Sequence, residues 1–317
     1  MKKTNKFTNG WRKFKRQKEL QIFALIGVAI LFVFSYLPLF GIIIAFKDYS
    51  INDGFQGILT SDWAGLKNFR EFFSYYKFPE LLRNTLALSL LKLVFTFPAP
   101  IILALLLNGM RCIPFKRAVQ TVSYLPNFIS WVLVYTIANA FLNGDIGVIN
   151  QLLMRAGIIS KAIPFLTSTK YFYGVATFLA VWKNSGYWAI IFLAAMTGID
   201  PQLYEAAEID GAGRWKRIIH ITLPGIRSSI VTVLILSIGS LLGGGMGGSN
   251  FEQCWIFGNT INNSVSEIIQ TYAFKMGLSQ GRFAYATAVD LVQSMISVLL
   301  ILISNFAAKR FAGEGLF

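Results

Sequence analysis

The chain has 317 residues, of which 55% are hydrophobic and only 14% are charged, and its formal net charge is +14. Soluble domains of average composition carry about a quarter charged residues, so this composition excludes an ordinary soluble protein. Several runs without charge are long enough to cross about 30 Å of hydrocarbon at 1.5 Å per helical residue. The predicted fold class is therefore an all-α integral membrane protein.

The N-terminal tail, residues 1–19, is strongly basic. It places Phe7, Trp11 and Phe14 at helical spacing among lysines and arginines. This pattern suits a helix that lies in the membrane interface. A disordered tail that only sets the orientation of the chain explains the charge equally well, so both interpretations stay open.

Six apolar segments follow the tail, and each is predicted to span the membrane. The first is too long for a signal-peptide core and no small-residue cleavage site follows it, so it is expected to be retained. The six segments are residues 20–46, 86–107, 123–141, 171–196, 226–242 and 284–307. They form one predicted membrane domain, residues 20–310, which is followed by a short C-terminal tail, residues 311–317.

Six spans place both termini on the same side of the membrane. Lysine and arginine are enriched in cytoplasmic loops. The side that carries the termini holds 17 of these residues and the opposite side holds 10, which predicts cytoplasmic termini in a multi-pass membrane protein. Anionic lipid attracts basic residues at the membrane edge, so the positive charge does not predict a nucleic-acid partner.

The sequence shows no catalytic chemistry. His220 is the single histidine; it lies in a predicted cytoplasmic loop, where no Ser/His/Asp triad can be built around it, and no cysteine or carboxylate cluster accompanies it to form a metal site. Cys112 and Cys254 are predicted on opposite sides of the bilayer, so a disulfide between them is not expected. No GxxxxGK[ST] phosphate loop is present. The chain is therefore not expected to be an enzyme or to carry a metal or a cofactor of its own.

A polar loop, residues 200–224, precedes the fifth span. Asp200 is a strong N-cap and Pro201 suits the first position of a helix. Gly211 is placed to end that helix in the left-handed conformation. A second segment begins near Gly213 and returns to the membrane, where Pro224 opens the next span.

The predicted helix of this loop presents a shallow face made of Leu203, Ala206 and Ala207. Small residues allow a partner surface to approach closely, and the neighbouring charges of Glu205 and Asp210 would fix its register. The face therefore suits docking into a cleft of another protein. The alternative is an amphipathic loop that packs on its own spans.

The spacing of this loop carries a family resemblance. Glu205-Ala206-Ala207, three residues, Gly211, nine residues and Ile221-Thr222-Leu223-Pro224 resemble the EAA loop of ABC-importer membrane subunits, EAA-x3-G-x9-I-x-L-P. Residues 197–212 resemble the carbohydrate-uptake branch. Further stretches are similar to the first permease of maltose- and polysaccharide-type importers: WAGLKNF (63–69), NTL (84–86) and YLPNFISW (124–131).

The resemblance implies a type I ABC importer permease for sugars, with oligosaccharides as the expected class. Its implied partners are a second related permease, two cytoplasmic ATPases that bind ATP and Mg²⁺, and an extracellular or periplasmic sugar-binding protein. The loop would be the coupling helix that the ATPases move. The implied coupling residues are Glu205, Ala206, Ala207, Asp210, Gly211, Leu223 and Pro224. Maltose-type subunits carry extra N-terminal spans and a large external domain that have no counterpart here.

Polar residues within spans are costly and are therefore candidates for the substrate path. A sugar needs hydrogen-bond partners for its hydroxyl rim and a flat aromatic surface for its apolar face. The candidates are Trp182, Lys183, Asn184, Tyr187, Ser237, Asp290 and Gln293, with Lys92 as a further polar position. The resemblance adds weight to Asn184, Tyr187 and Ser237. The alternative is that the aromatic residues form an interfacial belt and that Lys183 pairs with Asp290.

Three other functions remain as alternatives. One is an ABC importer permease for a solute that is not a sugar. Another is a self-sufficient secondary transporter or channel, which the loop pattern disfavours. The last is an integral membrane enzyme, which the absence of a catalytic cluster disfavours.

Overall fold

The computed structural model describes residues 17–313 and residue 315. The predicted interfacial helix with Phe7, Trp11 and Phe14 lies outside these residues. Within them the ordered elements are helices, apart from an isolated antiparallel bridge between Lys47 and Trp63. The all-α prediction is therefore confirmed for the described part of the chain.

The helices follow one another without a sheet between them. The α-helices are α1 (Lys18–Leu31), α2 (Gly54–Thr60), α3 (Lys67–Ser74), α4 (Phe78–Thr96), α5 (Pro98–Asn108), α6 (Ile113–Tyr124), α7 (Trp131–Leu142), α8 (Val148–Arg155), α9 (Phe172–Thr197), α10 (Pro201–Ile209), α11 (Arg214–Arg217), α12 (Leu223–Gly225), α13 (Arg227–Gly239), α14 (Asn250–Phe257), α15 (Asn263–Ser266), α16 (Ile269–Phe274) and α17 (Phe283–Ala312). The tighter 3₁₀ segments are Leu37–Phe46, Ile51–Asp53, Leu125–Phe128, Leu241–Gly243 and Gly245–Gly247, and the wider π segments are Phe32–Tyr36, Ile218–Thr222 and Lys275–Ser279.

Four helical segments among the described residues are long and apolar enough to cross a membrane: Lys18–Phe46, Phe78–Asn108, Phe172–Thr197 and Phe283–Arg310. Two bent pairs reach the same length, Ile113–Phe128 with Trp131–Leu142 and Arg214–Gly225 with Arg227–Gly239. There are six candidate spans if each pair counts as one. They correspond in order to the six predicted segments.

The third predicted span, residues 123–141, is wrong as a continuous helix. The chain bends by 108° between α6 with its 3₁₀ extension and α7. Pro126 lacks an amide hydrogen, Ile129 is extended, and Ser130 begins α7 by accepting a hydrogen bond from the Leu133 amide at 3.3 Å. The break is therefore encoded by a proline followed by a helix cap.

The fifth predicted span, residues 226–242, is also interrupted. Its regular part, α13, ends at Gly239, and two 3₁₀ turns follow. Gly244, Gly245 and Gly248 carry φ values of 112°, 53° and 77°, a region that residues with a Cβ rarely adopt. The glycine run thus lets the chain turn back within the bundle.

Helix α9 lies at the centre of the fold. It packs against α4, α5 and α6, and twelve of its residues are buried. Ala176 and Ala180 belong to one hydrophobic cluster, while Phe192 and Met196 belong to another at the opposite end of the helix. Both clusters are organised around this one span.

The segment between the first two spans packs over the bundle. Phe72 is buried against Tyr272, with their ring centroids 6.5 Å apart, and Glu71 forms an ion pair with Arg282 at 2.6 Å. Of the two possibilities for a long loop, binding a partner or packing on the spans, this segment shows packing. In contrast, α1 buries none of its side chains, which leaves its surface to lipid or to another subunit.

The close approach of α9 to α6 gives the first prediction. A Cβ at Gly186 would collide with the backbone of Ser123 and Tyr124, whereas a Cβ at Gly174 on the same helix meets no atom within 4 Å. Gly186→Ala should therefore lower the free energy of unfolding of the purified protein by about 1–3 kcal/mol or more, and its melting temperature with it. Gly174→Ala is the matched control and should be neutral or stabilising by up to about 1 kcal/mol, because alanine favours a helix.

Thermal unfolding in detergent measures both variants. Equal melting temperatures for Gly186→Ala and the unchanged protein would show that the two helices do not approach as closely as described.

Candidate functional site

The polar loop before α13 forms the helix that the sequence predicts. Asp200 accepts a hydrogen bond from the Gln202 amide at 2.9 Å, and Pro201 is the first residue of α10. The helix ends where Gly211 adopts φ of 71° and Ala212 donates to the Ala207 carbonyl at 2.8 Å. The predicted start and the predicted left-handed end are both confirmed.

The exposed face of α10 differs from the predicted one. Leu203 and Ala206 are exposed as expected, but Ala207 is half-buried against its own chain. Ile209 is 87% exposed and extends the apolar surface instead. The carboxylates of Glu205 and Asp210 are also exposed beside this surface. The free face therefore consists of Leu203, Ala206 and Ile209.

Side-chain contacts tie α10 to the segment that returns to the membrane. The hydroxyls of Tyr204 and Thr222 lie 3.0 Å apart, and Arg217 contacts the Glu208 carboxylate at 3.3 Å. Arg214 donates to the carbonyl of Gly109, in the turn between α5 and α6. These contacts join the loop to its own return segment and to the end of the second span.

The end of the loop meets the bundle at Pro224, which lies in α12 just before the 63° bend into α13. Leu223 is half-buried there and Pro224 is exposed. A Cβ at the next residue, Gly225, would lie 2.7 Å from the Cδ1 atom of Ile199, at the base of α9. The loop thus contacts the central span at the point where the chain leaves it.

A buried polar centre lies where the two broken spans meet α9. Lys183 donates to the carbonyl of Asn127 at 2.7 Å and lies 3.4 Å from that of Pro126. The Asn127 side chain donates to Asn184 at 3.1 Å, and Asn184 donates to the Ala180 carbonyl at 2.9 Å. The backbone carbonyls at the break in the third span therefore accept hydrogen bonds from Lys183 of α9.

Lysine side chains also converge on one tryptophan in this centre. The ammonium groups of Lys92 and Lys183 lie 5.7 Å and 5.8 Å from the centroid of the Trp131 ring, within cation–π range. Lys92 is 0% exposed, and its Nζ has no hydrogen-bond partner among the described residues. The glycine turn lies beside the same groups, because a Cβ at Gly247 would lie 2.7 Å from the Cδ atom of Lys92 and a Cβ at Gly248 would lie 3.6 Å from the Trp131 ring.

The alternative in which Lys183 pairs with Asp290 is wrong. Lys183 is held by backbone carbonyls of the third span, and Asp290 lies on α17 in a separate cavity. The physical reason is the 108° bend, which exposes carbonyls that a continuous helix would have satisfied internally.

That cavity, of about 370 Å³, lies beside the last span. Asp290 and Gln293 are one turn apart on α17 and both line it. Gln270 lies across from them, and the Oε1 atoms of Gln270 and Gln293 are buried without a hydrogen-bond partner among the described residues. The lining also includes Phe251, Phe274 and Ser294. The cavity combines an apolar aromatic wall with unpaired acceptors, which suits a hydroxyl-rich ligand.

The predicted substrate-path residues thus fall into separate places. Lys183 and Asn184 belong to the buried centre, whereas Asp290 and Gln293 share the cavity. Trp182 and Tyr187 are 39% and 42% exposed on the outer surface of α9. Ser237 is buried and donates to the Val233 carbonyl of its own helix at 2.7 Å, so its hydroxyl joins neither place.

Sequence reasoning missed the roles of Asn127, Trp131, Gln270 and the aromatic cavity wall. The proline in YLPNFISW and the glycine run were the available signals for the buried centre, because interrupted spans often surround binding sites. The cavity wall carried no such signal, since its residues come from short helices between spans. No group of three or more His, Cys, Asp or Glu side chains in the described ranges is arranged to hold a metal ion.

Comparisons with known proteins agree on one family. Residues 96–313 match the family model described as binding-protein-dependent transport system inner membrane component. The chain is 45% identical to protein LplB of Bacillus subtilis (strain 168), over 96% of this chain and 92% of the relative. It is 43% identical, with the same coverage, to the polygalacturonan/rhamnogalacturonan transport system permease protein YteP of that strain.

A solved structure shares the whole fold. A subunit of a bacterial alginate ABC transporter, crystallised in complex with an alginate pentasaccharide-bound periplasmic protein, superposes with a TM-score of 0.84. The two sequences are 32% identical, and the match covers 96% of this chain and 99% of that one.

The two lysines of the buried centre should respond in opposite ways to removal of their charge. Lys92→Met removes a buried ammonium that has a cation–π contact with Trp131 but no hydrogen-bond partner among the described residues, so it should raise the melting temperature in detergent. Lys183→Met leaves the carbonyl of Asn127 without its donor, whereas the Pro126 carbonyl keeps the Ile129 amide at 3.3 Å, and the change should cost about 1–3 kcal/mol in the free energy of unfolding. Lys170→Met, at an exposed position before α9, serves as the control. A loss of stability in Lys92→Met as large as that in Lys183→Met would show that Lys92 has a partner.

Proposed function

Because the chain belongs to the family of inner membrane components of binding-protein-dependent transport systems, we propose that it is a permease subunit of an ABC importer for oligosaccharides. The observation that carries the proposal is the likeness to the alginate transporter subunit along nearly the whole chain. The relative named for polygalacturonan and rhamnogalacturonan transport supports a sugar chain as the substrate.

In this proposal both termini and the 200–224 loop lie in the cytoplasm of a bacterial cell. A second related permease completes the pathway, two ATPases bind beneath, and a binding protein delivers the sugar from outside. The basic residues near the termini support the orientation, and the binding protein in the alginate complex supports the last partner. The exposed apolar surface of α1 offers area for lipid or for the second permease.

The loop acts as the coupling helix in this proposal. An ATPase cleft would hold the face of Leu203, Ala206 and Ile209. Because Arg214 contacts the Gly109 carbonyl, movement of the loop would also shift the junction between α5 and α6. Because Gly225 packs against Ile199, it would shift the base of α9 as well. The bundle would then exchange between two arrangements, each favoured by a different ligand state.

The sugar path in this proposal uses the cavity at Asp290 and Gln293. The unpaired oxygens of Gln270 and Gln293 are buried, so each side chain would turn into the cavity to accept a hydrogen bond from a sugar hydroxyl, and Phe274 would cover an apolar sugar face. The buried centre has a different task, because Lys183 and Asn184 already hold the broken third span. They position the backbone beside the path rather than contact the sugar in this conformation.

A larger side chain on the free face of α10, which consists of Leu203, Ala206 and Ile209, tests the coupling role of the loop. Ala206 is exposed, so Ala206→Leu should leave the isolated chain stable, whereas the half-buried Ala207 would also press on its own chain if enlarged. Overpacking a close contact costs about 1–3 kcal/mol, so ATPase co-purification and sugar uptake should fall roughly fivefold or more. Ala156→Leu makes the same change at an exposed position outside the loop and should have no effect.

A second pair of variants addresses the turn of the same loop. Gly211→Val forces a β-branched residue into a left-handed conformation, while Gly213 has φ of −66° and accepts valine without strain. Only Gly211→Val should uncouple ATP hydrolysis from uptake in reconstituted vesicles. Normal uptake in both Ala206→Leu and Gly211→Val would remove the loop from the coupling mechanism.

Replacement of Gln293 tests the path. Its Oε1 has no partner in the described chain, so Gln293→Met should not reduce thermal stability. Loss of one hydrogen bond to the sugar is worth about 0.5–1.5 kcal/mol, which predicts a roughly two- to tenfold drop in uptake. Uptake is measured with fragments of polygalacturonan, alginate and arabinan that bind the partner binding protein. Gln280→Met is the exposed control, and equal uptake by the two variants would place the path elsewhere.

A further inference from the structure

A second cavity, of about 470 Å³, lies in the segment between the last two spans. It is bordered by α14 on one side and by α15 and α16 on the other. Its size falls within the range of about 300–1,000 Å³ that is usual for small-molecule sites. None of its residues was among the candidates that the sequence suggested.

The lining of this cavity has the chemistry that a sugar ring requires. Trp255 is 44% exposed at its edge and offers a flat apolar face. Thr260 and Asn263 also line it, and their side chains make no hydrogen bond within the described residues. Glu267 and Lys275, 2.6 Å apart, add a carboxylate and an ammonium whose charges balance. The cavity therefore offers unused donors and acceptors together with an aromatic platform.

An aromatic cluster, Phe251, Trp255 and Phe274, joins this cavity to the one at Asp290. The ring centroids of Trp255 and Phe274 are 4.9 Å apart, those of Phe251 and Phe274 are 5.1 Å apart, and those of Phe251 and Trp255 are 5.9 Å apart. Trp255 lines the first cavity, and the two phenylalanines line the second. The two cavities are therefore neighbours across one shared wall.

Two adjacent residues of α16 also line different cavities. Gln270 lines the cavity at Asp290, and Thr271 lines the cavity at Trp255. One short helix thus carries polar groups toward both sides of the aromatic wall. A ligand long enough to cross that wall would contact both cavities at once.

We propose that the cavity at Trp255, Asn263 and Glu267–Lys275 is a second carbohydrate subsite, which binds a further sugar unit of the same oligosaccharide. This proposal rests on the proposed function and extends it, because it makes chain length a determinant of binding. A monosaccharide occupies only the cavity at Asp290, whereas a trisaccharide extends over the aromatic cluster into the cavity at Trp255.

Site-directed thiol labelling of the assembled importer tests the two subsites separately. In a background without native cysteines, Cys112→Ser with Cys254→Ala, Asn263→Cys reports on the cavity at Trp255 and Ser294→Cys reports on the cavity at Asp290. Ser279→Cys is an exposed reporter outside both. A small methanethiosulfonate reagent is applied with galacturonate, mannuronate or arabinose, each as a monosaccharide and as a linked trisaccharide.

The expected result is a dependence on chain length. A trisaccharide that is taken up should slow labelling at both Asn263→Cys and Ser294→Cys, and its monosaccharide should slow labelling only at Ser294→Cys. Labelling at Ser279→Cys should not change. Protection at Ser294→Cys alone by every sugar overturns the second subsite and leaves the proposed function standing. Absence of ATP-driven uptake for every sugar overturns the proposed function itself.

Changes at Trp255 separate sugar binding from protein docking. Trp255→Ala should raise the trisaccharide concentration for half-protection at Asn263→Cys by roughly three- to tenfold, and Trp255→Phe should restore most of it. Trp63→Ala, an exposed tryptophan outside the cavity, should have no effect. If Trp255→Ala instead weakens capture of the sugar-free binding protein and leaves trisaccharide protection unchanged, the cavity is a protein contact and the proposal fails.

Discussion

Backbone groups within hydrocarbon must find hydrogen-bond partners inside the protein, and this constraint governs the centre of the fold. The third span breaks at Pro126 and bends by 108°, which frees carbonyls that a straight helix would have paired. Lys183 supplies the missing donor, and Asn184 binds the Asn127 side chain beside it. Two polar residues of α9 therefore stabilise an arrangement that the third span alone could not maintain.

The rest of the bundle is arranged around the helix that supplies these donors. Gly186 lies within one turn of Lys183 and allows α6 to reach the backbone of α9. The glycine turn after α13 lies on the other side, where a Cβ at Gly248 would lie 3.4 Å from the Asn184 side chain and 3.6 Å from the Trp131 ring. Where these backbones approach closely, Lys92 is fully buried and Lys183 is 7% exposed. The broken third span, α9 and the glycine turn after α13 therefore meet at this centre.

One rigid element connects this junction to the loop proposed to meet the ATPases. Helix α9 continues without interruption from Lys183 to Thr197, and the loop follows within three residues. The distance along the helix is roughly 20 Å at 1.5 Å per residue. Displacement of the loop against Ile199 would therefore be carried directly to the donors of the broken span. The two cavities lie to one side of this line, lined by α14, α15, α16 and α17, and α14 packs on the centre through the contact of Phe257 with Trp131, whose ring centroids lie 6.3 Å apart.

The amino-acid sequence determined the membrane class, the approximate position of six apolar segments and the local form of the 200–224 loop. Those features depend on composition, on length and on caps such as Asp200 and Gly211, which act through neighbours a few residues away. Only the tertiary structure decided that Lys183 binds carbonyls of the third span, that Ala207 is half-buried and that Asp290 shares a cavity with Gln270. Residues far apart in the chain determine those contacts, because the helices cross at angles set by proline breaks and glycine contacts rather than by periodicity. The aromatic wall formed by α14 and α16 lay beyond sequence reasoning for the same reason, since short helices between spans show no pattern that fixes where they pack.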